Sequence, residues 1–143
     1  MDIRRIDDRI SVAPQITPED VAAVKAAGFV AIVNNRPDGE MPGQPAGEAI
    51  RAAAEAAGLT YVAIPVTHAG FSHPQVAAMI DALEQANGPV LAFCRSGTRS
   101  CNLWALAGAG LGADPDELTA KAADAGYDLS ALRPLMDAVA PER

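Results

Sequence analysis

Aromatic residues are scarce in this sequence, only 4% of the chain with a single tryptophan, so few π-faces exist on which bases could stack. Positive charge is scarce too: 11 Lys and Arg stand against 18 Asp and Glu, a formal net charge of −7 at pH 7. An acidic surface repels phosphate backbones, so no nucleic-acid partner is expected. Two cysteines seven positions apart are too few for a disulfide framework, which points to a reducing compartment. The longest apolar run, 103–113, is interrupted by glycine and falls short of the roughly 20 residues that span a bilayer, so no membrane partner is expected. Behind the charges of Met1-Asp2-Ile3-Arg4-Arg5 there is no apolar leader core. His68 and His73 have no partners at metal-ligand spacing, so neither a metal nor another cofactor is expected. What remains is a 143-residue chain, half apolar and one-fifth charged, expected to be a single soluble cytoplasmic domain with its own core.

Turn and cap signals divide the chain. Residues 4–6 and 10–13 flank Asp7-Asp8-Arg9 as a short hairpin. Thr17-Pro18-Glu19-Asp20 supplies an N-cap, a first-turn proline and two acids for a helix reaching Ala27, stopped by Gly28. Strands follow at 29–34, 60–64 and 90–93, separated by helices at 46–57 and 74–86. A helix resumes after Arg99 through Ala109, with two more at 115–125 and about 131–139. Short strands alternating with longer helices predict an α/β fold: a mostly parallel sheet of four or five strands with helices on both faces. Ligands of such sheets bind outside the carboxyl ends of the strands, which nominates the loops after Asn34, Ile64 and Phe93.

The third loop carries the sharpest signal. In Phe93-Cys94-Arg95-Ser96-Gly97-Thr98-Arg99-Ser100 a cysteine ends a buried strand and a helix begins a few residues later. A tight turn there makes the N–H groups converge at the positive end of the helix dipole, an anion cradle. Gly97 permits the turn, and Arg95 and Arg99 add fixed positive charge. Such surroundings favour a thiolate, so Cys94 is expected to be a nucleophile and Arg95 to Ser100 its anion-binding loop. Asn34, Asn35 and Arg36 can donate to an anion from the facing loop, and Asp38 or Glu40 can hold Arg36 or Arg99. Cys101, one turn into the helix, either packs inward or resolves an oxidised Cys94.

Cys94-Arg95-Ser96-Gly97-Thr98-Arg99-Ser100 is similar to the active-site loop of single-domain rhodaneses, sulfurtransferases that carry a persulfide. Val33-Asn34-Asn35-Arg36-Pro37-Asp38-Gly39-Glu40, followed by Tyr61-Val62-Ala63-Ile64-Pro65-Val66, resembles a different family. This is the bacterial dual-specificity-phosphatase-like domain of beta-lactamase hydrolase-like proteins, described both as sulfur transferase and as phosphatase. The similarity runs over residues 11–111. It implies a cysteine-phosphatase-type fold, with Cys94 as nucleophile, the following loop binding the anion and Arg99 clamping it. In some relatives the domain is fused to a persulfide-oxidising metalloenzyme.

Two features separate the activities that the resemblance allows. Cysteine phosphatases place the arginine six residues after the cysteine, whereas Arg99 is five after Cys94 and Ser100 takes the sixth place. Losing one residue, about 3.8 Å of contour, narrows the ring of amides and suits a terminal sulfur better than a phosphoryl group. The loop 65–73, where such phosphatases carry an acid, holds no carboxylate, leaving His68 or Asp38 to protonate a leaving oxygen. Sulfite needs no such acid. The leading expectation is therefore a sulfurtransferase forming a persulfide on Cys94 from thiosulfate or another sulfane-sulfur donor and passing it to a thiol or an acceptor protein. The alternatives are a phosphatase working through a Cys94 phosphoenzyme, and a non-catalytic anion or redox sensor.

Overall fold

In the computed structural model, which describes residues 1–141, five strands form one sheet. They are β1 (Arg4–Arg5), β2 (Ile10–Ala13), β3 (Ala31–Asn34), β4 (Thr60–Ala63) and β5 (Val90–Phe93), in the order β1-β2-β5-β3-β4. The β1–β2 pair is antiparallel, the hairpin that the sequence predicts, and every other pairing is parallel. The register is level at one end: Phe93 lies opposite Ala13 on one side and Asn34 on the other, and Asn34 lies opposite Ala63. Four parallel strands therefore finish together, and the loops that leave them open onto one edge.

Alternation along β5 explains the layering. Val90 and Ala92 join one buried cluster, while Leu91 and Phe93 join another on the opposite face. The first cluster takes Met79 and Leu83 of α3 (His73–Gln85), Leu103 and Leu106 of α4 (Thr98–Gly110), Leu118 of α5 (Pro115–Asp124) and Met136 of α6 (Arg133–Val139). The second takes Val21 and Val24 of α1 (Val21–Ala26) and Ile50 of α2 (Gly47–Ala56). Helices thus cover both faces, as the alternating pattern predicts.

The differences are local. The predicted helix beginning at Thr17 opens with a 3-10 turn at Pro18–Asp20 before α1, closed by the Asp20 N–H donating to the Thr17 carbonyl at 3.0 Å, while the Asp20 side chain accepts from the Thr17 N–H at 2.9 Å. The last helix also starts as a 3-10 turn, at Ser130–Leu132, ahead of α6. Strand β3 is shorter than predicted, starting at Ala31, and β4 ends at Ala63. No helix among the described residues is long and apolar enough to cross a membrane.

Candidate active site

Cys94 follows the last residue of β5 and is fully buried, at the floor of the edge where the parallel strands end. Its own N–H donates to the Ala13 carbonyl at 3.4 Å, which keeps it in line with β2 for one residue beyond the sheet. The chain then turns into α4 through Gly97, at φ +88°, in the left-handed region where a β-carbon is strained. The turn brings the Gly97 N–H to 3.1 Å from the Cys94 sulfur. Ser96 Oγ accepts from the Thr98 N–H at 3.4 Å and donates to Thr98 Oγ1 at 3.0 Å, securing the start of the helix. Helix first-turn amides have no partners within their own helix and carry its positive end toward the sulfur.

Arg99 makes three hydrogen bonds to two partners. Its Nη1 donates to Glu40 Oε2 at 2.7 Å and to the Val66 carbonyl at 2.6 Å, and its Nη2 donates to Glu40 Oε1 at 2.9 Å. The Glu40 hydrogen bond is the main influence favouring the charged guanidinium, and the Cys94 sulfur nearby works in the same direction. Glu40 also accepts from Arg36 Nε at 2.8 Å. The Arg99 guanidinium, against the cost of burial and with help from Arg36, holds the Glu40 carboxyl down at about 2. Arg36 is itself buried, and its Nη1 reaches Gln15 Oε1 at 3.0 Å. A chain of charge-assisted bonds thus runs Gln15–Arg36–Glu40–Arg99 above the cysteine loop.

The other residues singled out from the sequence divide into those brought to this cluster and those held elsewhere. Asn35 lies fully buried beside the loop: its N–H donates to the Phe93 carbonyl at 2.8 Å and its side-chain amide to the Ile64 carbonyl at 2.9 Å. Its Oδ1 and the Ser100 hydroxyl are buried polar atoms without a partner among the described residues. Asp38 is exposed and directed at α2, where its Oδ1 accepts from the Gly47 N–H at 2.8 Å. It borders a cavity of about 140 Å³ with Asn34, Arg36, Arg51 and Tyr61. His68 is exposed on the loop after β4, two residues beyond Val66, whose carbonyl holds Arg99. The Arg95 side chain is exposed, and its backbone carbonyl accepts from the Gln15 N–H at 3.3 Å. Cys101 packs inside the larger core, and burial pushes its thiol up to about 12, so it stays neutral at physiological pH. Among the described residues no group of three or more His, Cys, Asp or Glu side chains converges as a metal site.

Sequence reasoning missed three contributors. Gln15 follows β2, which pairs parallel with β5 as well as antiparallel with β1, so its carboxyl-end loop joins the three nominated ones; adjacent residues show only the hairpin. Gln44 braces the Glu40 loop, accepting from the Glu40 N–H at 3.1 Å and donating to the Pro37 carbonyl at 2.9 Å. Tyr127 reaches the loop from beyond α5 and donates to the Ser96 carbonyl at 3.2 Å. No local pattern marks either Gln44 or Tyr127.

A parallel sheet ending on a cysteine loop, with a helix N-terminus and a fixed arginine beside the sulfur, defines the cysteine-phosphatase fold. Solved structures agree in architecture: kinase associated phosphatase, solved with its catalytic-site cysteine replaced by serine, matches with a TM-score of 0.74 at 15% identity, over 100% of this chain and 98% of that one. The chain belongs to the family of the phosphatase-like domain of beta-lactamase hydrolase-like proteins, whose model matches residues 2–111. The beta-lactamase hydrolase-like protein of Agrobacterium fabrum is 40% identical over 102 residues, which are 71% of this chain and 24% of that protein. The chain therefore spans about a quarter of the length of that relative. A crystal structure of a Neisseria meningitidis protein, described as a candidate phosphatase, is 34% identical with a TM-score of 0.83, over 97% of this chain and 99% of that one.

Proposed function

We propose that this chain is a cysteine-dependent phosphatase acting on small phosphate monoesters. The observation that carries the reading is the Gly97 N–H on the Cys94 sulfur beside a guanidinium fixed by Glu40. An arginine anchored on one edge by a carboxylate is preorganised to receive oxyanion charge, so little reorganisation remains for the reaction itself. In the first step the Cys94 sulfur attacks phosphorus, the S–P bond forms and the P–O ester bond breaks. The departing oxygen takes a proton from His68, which lies two residues from the carbonyl that holds Arg99, within about 7 Å of extended chain. Water then attacks phosphorus, returns a proton to His68 and releases phosphate from the sulfur. Asp38 is a weaker candidate for the acid, since its carboxylate is engaged at the head of α2. A cytoplasmic setting fits the two unpaired thiols.

Two features favour sulfur transfer as a second reading: Arg99 stands five residues after Cys94 instead of six, and the loop 65–73 contains no carboxylate, whereas sulfite leaves thiosulfate without a proton donor. In that reading the Cys94 sulfur attacks the outer sulfur, an S–S bond forms and sulfite departs with the electron pair. The family resemblance and the likeness to the Neisseria protein favour the phosphatase reading. The deciding experiment sets p-nitrophenyl phosphate turnover beside intact-mass analysis after incubation with thiosulfate, for the wild type, Cys94→Ser and His68→Asn. Phosphate ester turnover that vanishes in Cys94→Ser and falls in His68→Asn is the expected result. No turnover, together with one sulfur atom gained on Cys94, overturns the phosphatase reading in favour of sulfur transfer.

A further inference from the structure

The hydrogen bond from Tyr127 and the hydrogen bond to the Cys94 sulfur involve the same peptide group. Tyr127 Oη donates to the Ser96 carbonyl at 3.2 Å, and the N–H of that same peptide, on Gly97, points to the sulfur at 3.1 Å. In a trans peptide the carbonyl and the N–H point in opposite directions. The phenol on one side and the sulfur on the other therefore fix one plane between them.

The plane needs fixing. Gly97 at φ +88° and ψ −12° has the conformation of the third residue of a type II turn. Rotating the preceding peptide by half a turn gives about −90° and 0°, the same residue in the commoner type I turn. Glycine adopts both. In the rotated form the Ser96 carbonyl, not the Gly97 N–H, faces the sulfur, and the cradle presents a negative end to any anion. Tyr127 is well placed to prevent this. It is buried, its ring lies beneath the Arg4 guanidinium at 5.5 Å, and its hydroxyl sits 2.3 Å from where a β-carbon on Gly97 would be. Burial raises its ionisation point, so the hydroxyl remains a donor at neutral pH.

We propose that Tyr127 is a positioning residue for the cysteine loop, its phenol holding the Ser96–Gly97 peptide with the N–H directed at the Cys94 sulfur and at any oxyanion bound there. The assignment rests on the reading of this loop as the oxyanion site. It draws on a residue outside the 2–111 segment that the family model matches. The bond also polarises the peptide, strengthening its N–H as a donor.

The test is Tyr127→Phe, which removes the hydroxyl and keeps the ring, read by the Gly97 amide resonance in nitrogen-15 spectra and by orthovanadate affinity. The Gly97 peak is expected to move upfield and vanadate to bind at least threefold more weakly, with the thermal midpoint held within a few degrees. Biosynthetic 3-fluorotyrosine at both tyrosines makes the phenol a stronger donor and moves the Gly97 peak downfield, an arm that does not depend on the variant folding. An unmoved Gly97 peak in both arms, or unchanged vanadate affinity in a folded Tyr127→Phe, overturns the assignment. If the wild type neither binds vanadate nor turns over phosphate, the functional reading fails, while the Gly97 peak still reports on the tether.

Discussion

Two guanidinium groups share the Glu40 carboxylate, and the carboxylate is largely shielded from water. Replacing it with the neutral amide in Glu40→Gln removes the charge and one of the two acceptor oxygens, leaving the Val66 carbonyl as the one unaltered partner of Arg99 and loosening its hold. Turnover of an aryl phosphate per enzyme, as kcat/KM, is expected to fall about tenfold or more, the loss of roughly 1.4 kcal/mol of transition-state stabilisation. The same residue sets an acid limit. Its carboxyl lies at about 2 in the folded chain against 4.5 as an ordinary glutamate. Because the folded value is the lower one, the stability it contributes is complete above about 4.5 and is lost as pH falls through about 2. Urea midpoints measured across that window should fall less steeply with acid in Glu40→Gln than in the wild type; parallel curves would contradict the linkage. At this scale the sequence was partly legible. A carboxylate near Arg36 and an arginine after Cys94 could be named as partners in principle, but the choice between Asp38 and Glu40 required coordinates.

Asp38 shows what decides such choices at the scale of an element. Its side chain serves α2, accepting from the Gly47 N–H at the first helical position, where intrahelical acceptors are lacking. Asp38→Ala is expected to destabilise the chain by about 1 kcal/mol, the usual loss for a cap, which lowers the thermal midpoint by a few degrees. Turnover of an aryl phosphate should change far less than in Glu40→Gln. A large loss of turnover with an unchanged thermal midpoint would instead make Asp38 the acid. Elements themselves were legible where the signal was local. Ser72 and Gln75 close a capping box at the start of α3, with Pro74 in its first turn, and β5 is a short apolar run between turn signals. The 3-10 starts were not legible, because a first turn closed by backbone bonds three residues apart instead of four leaves the pattern of apolar residues unchanged. Gln15 escaped for a related reason: β2 belongs both to the hairpin and to the parallel sheet, and only the hairpin could be read from adjacent residues.

For the whole molecule, the C-terminal part of the first core matters more than the length of the family match implies. Residues beyond 111 bring Leu118, Leu129, Leu132 and Met136 into the cluster around α4. Four such side chains at roughly 1.5–3 kcal/mol each amount to about as much as the net stability of a typical domain. A fragment ending at Leu111 is therefore expected to lack a cooperative thermal transition in circular dichroism and to bind a hydrophobic dye. A sharp transition close to that of the full chain would show that α5 and α6 are dispensable.

By itself the sequence determined the alternation of strand and helix, the parallel sheet and the cysteine loop. Each of these rests on residues within a few positions of one another: apolar runs, caps, glycines, and Cys94 through Ser100. Only the tertiary structure decided that Glu40 rather than Asp38 holds the arginines, and that Gln15 and Tyr127 reach the same loop from opposite ends of the chain. Apart from Arg36–Glu40, those contacts join residues with no local relation, and most of them exist because the level ends of four parallel strands gather distant loops onto one edge.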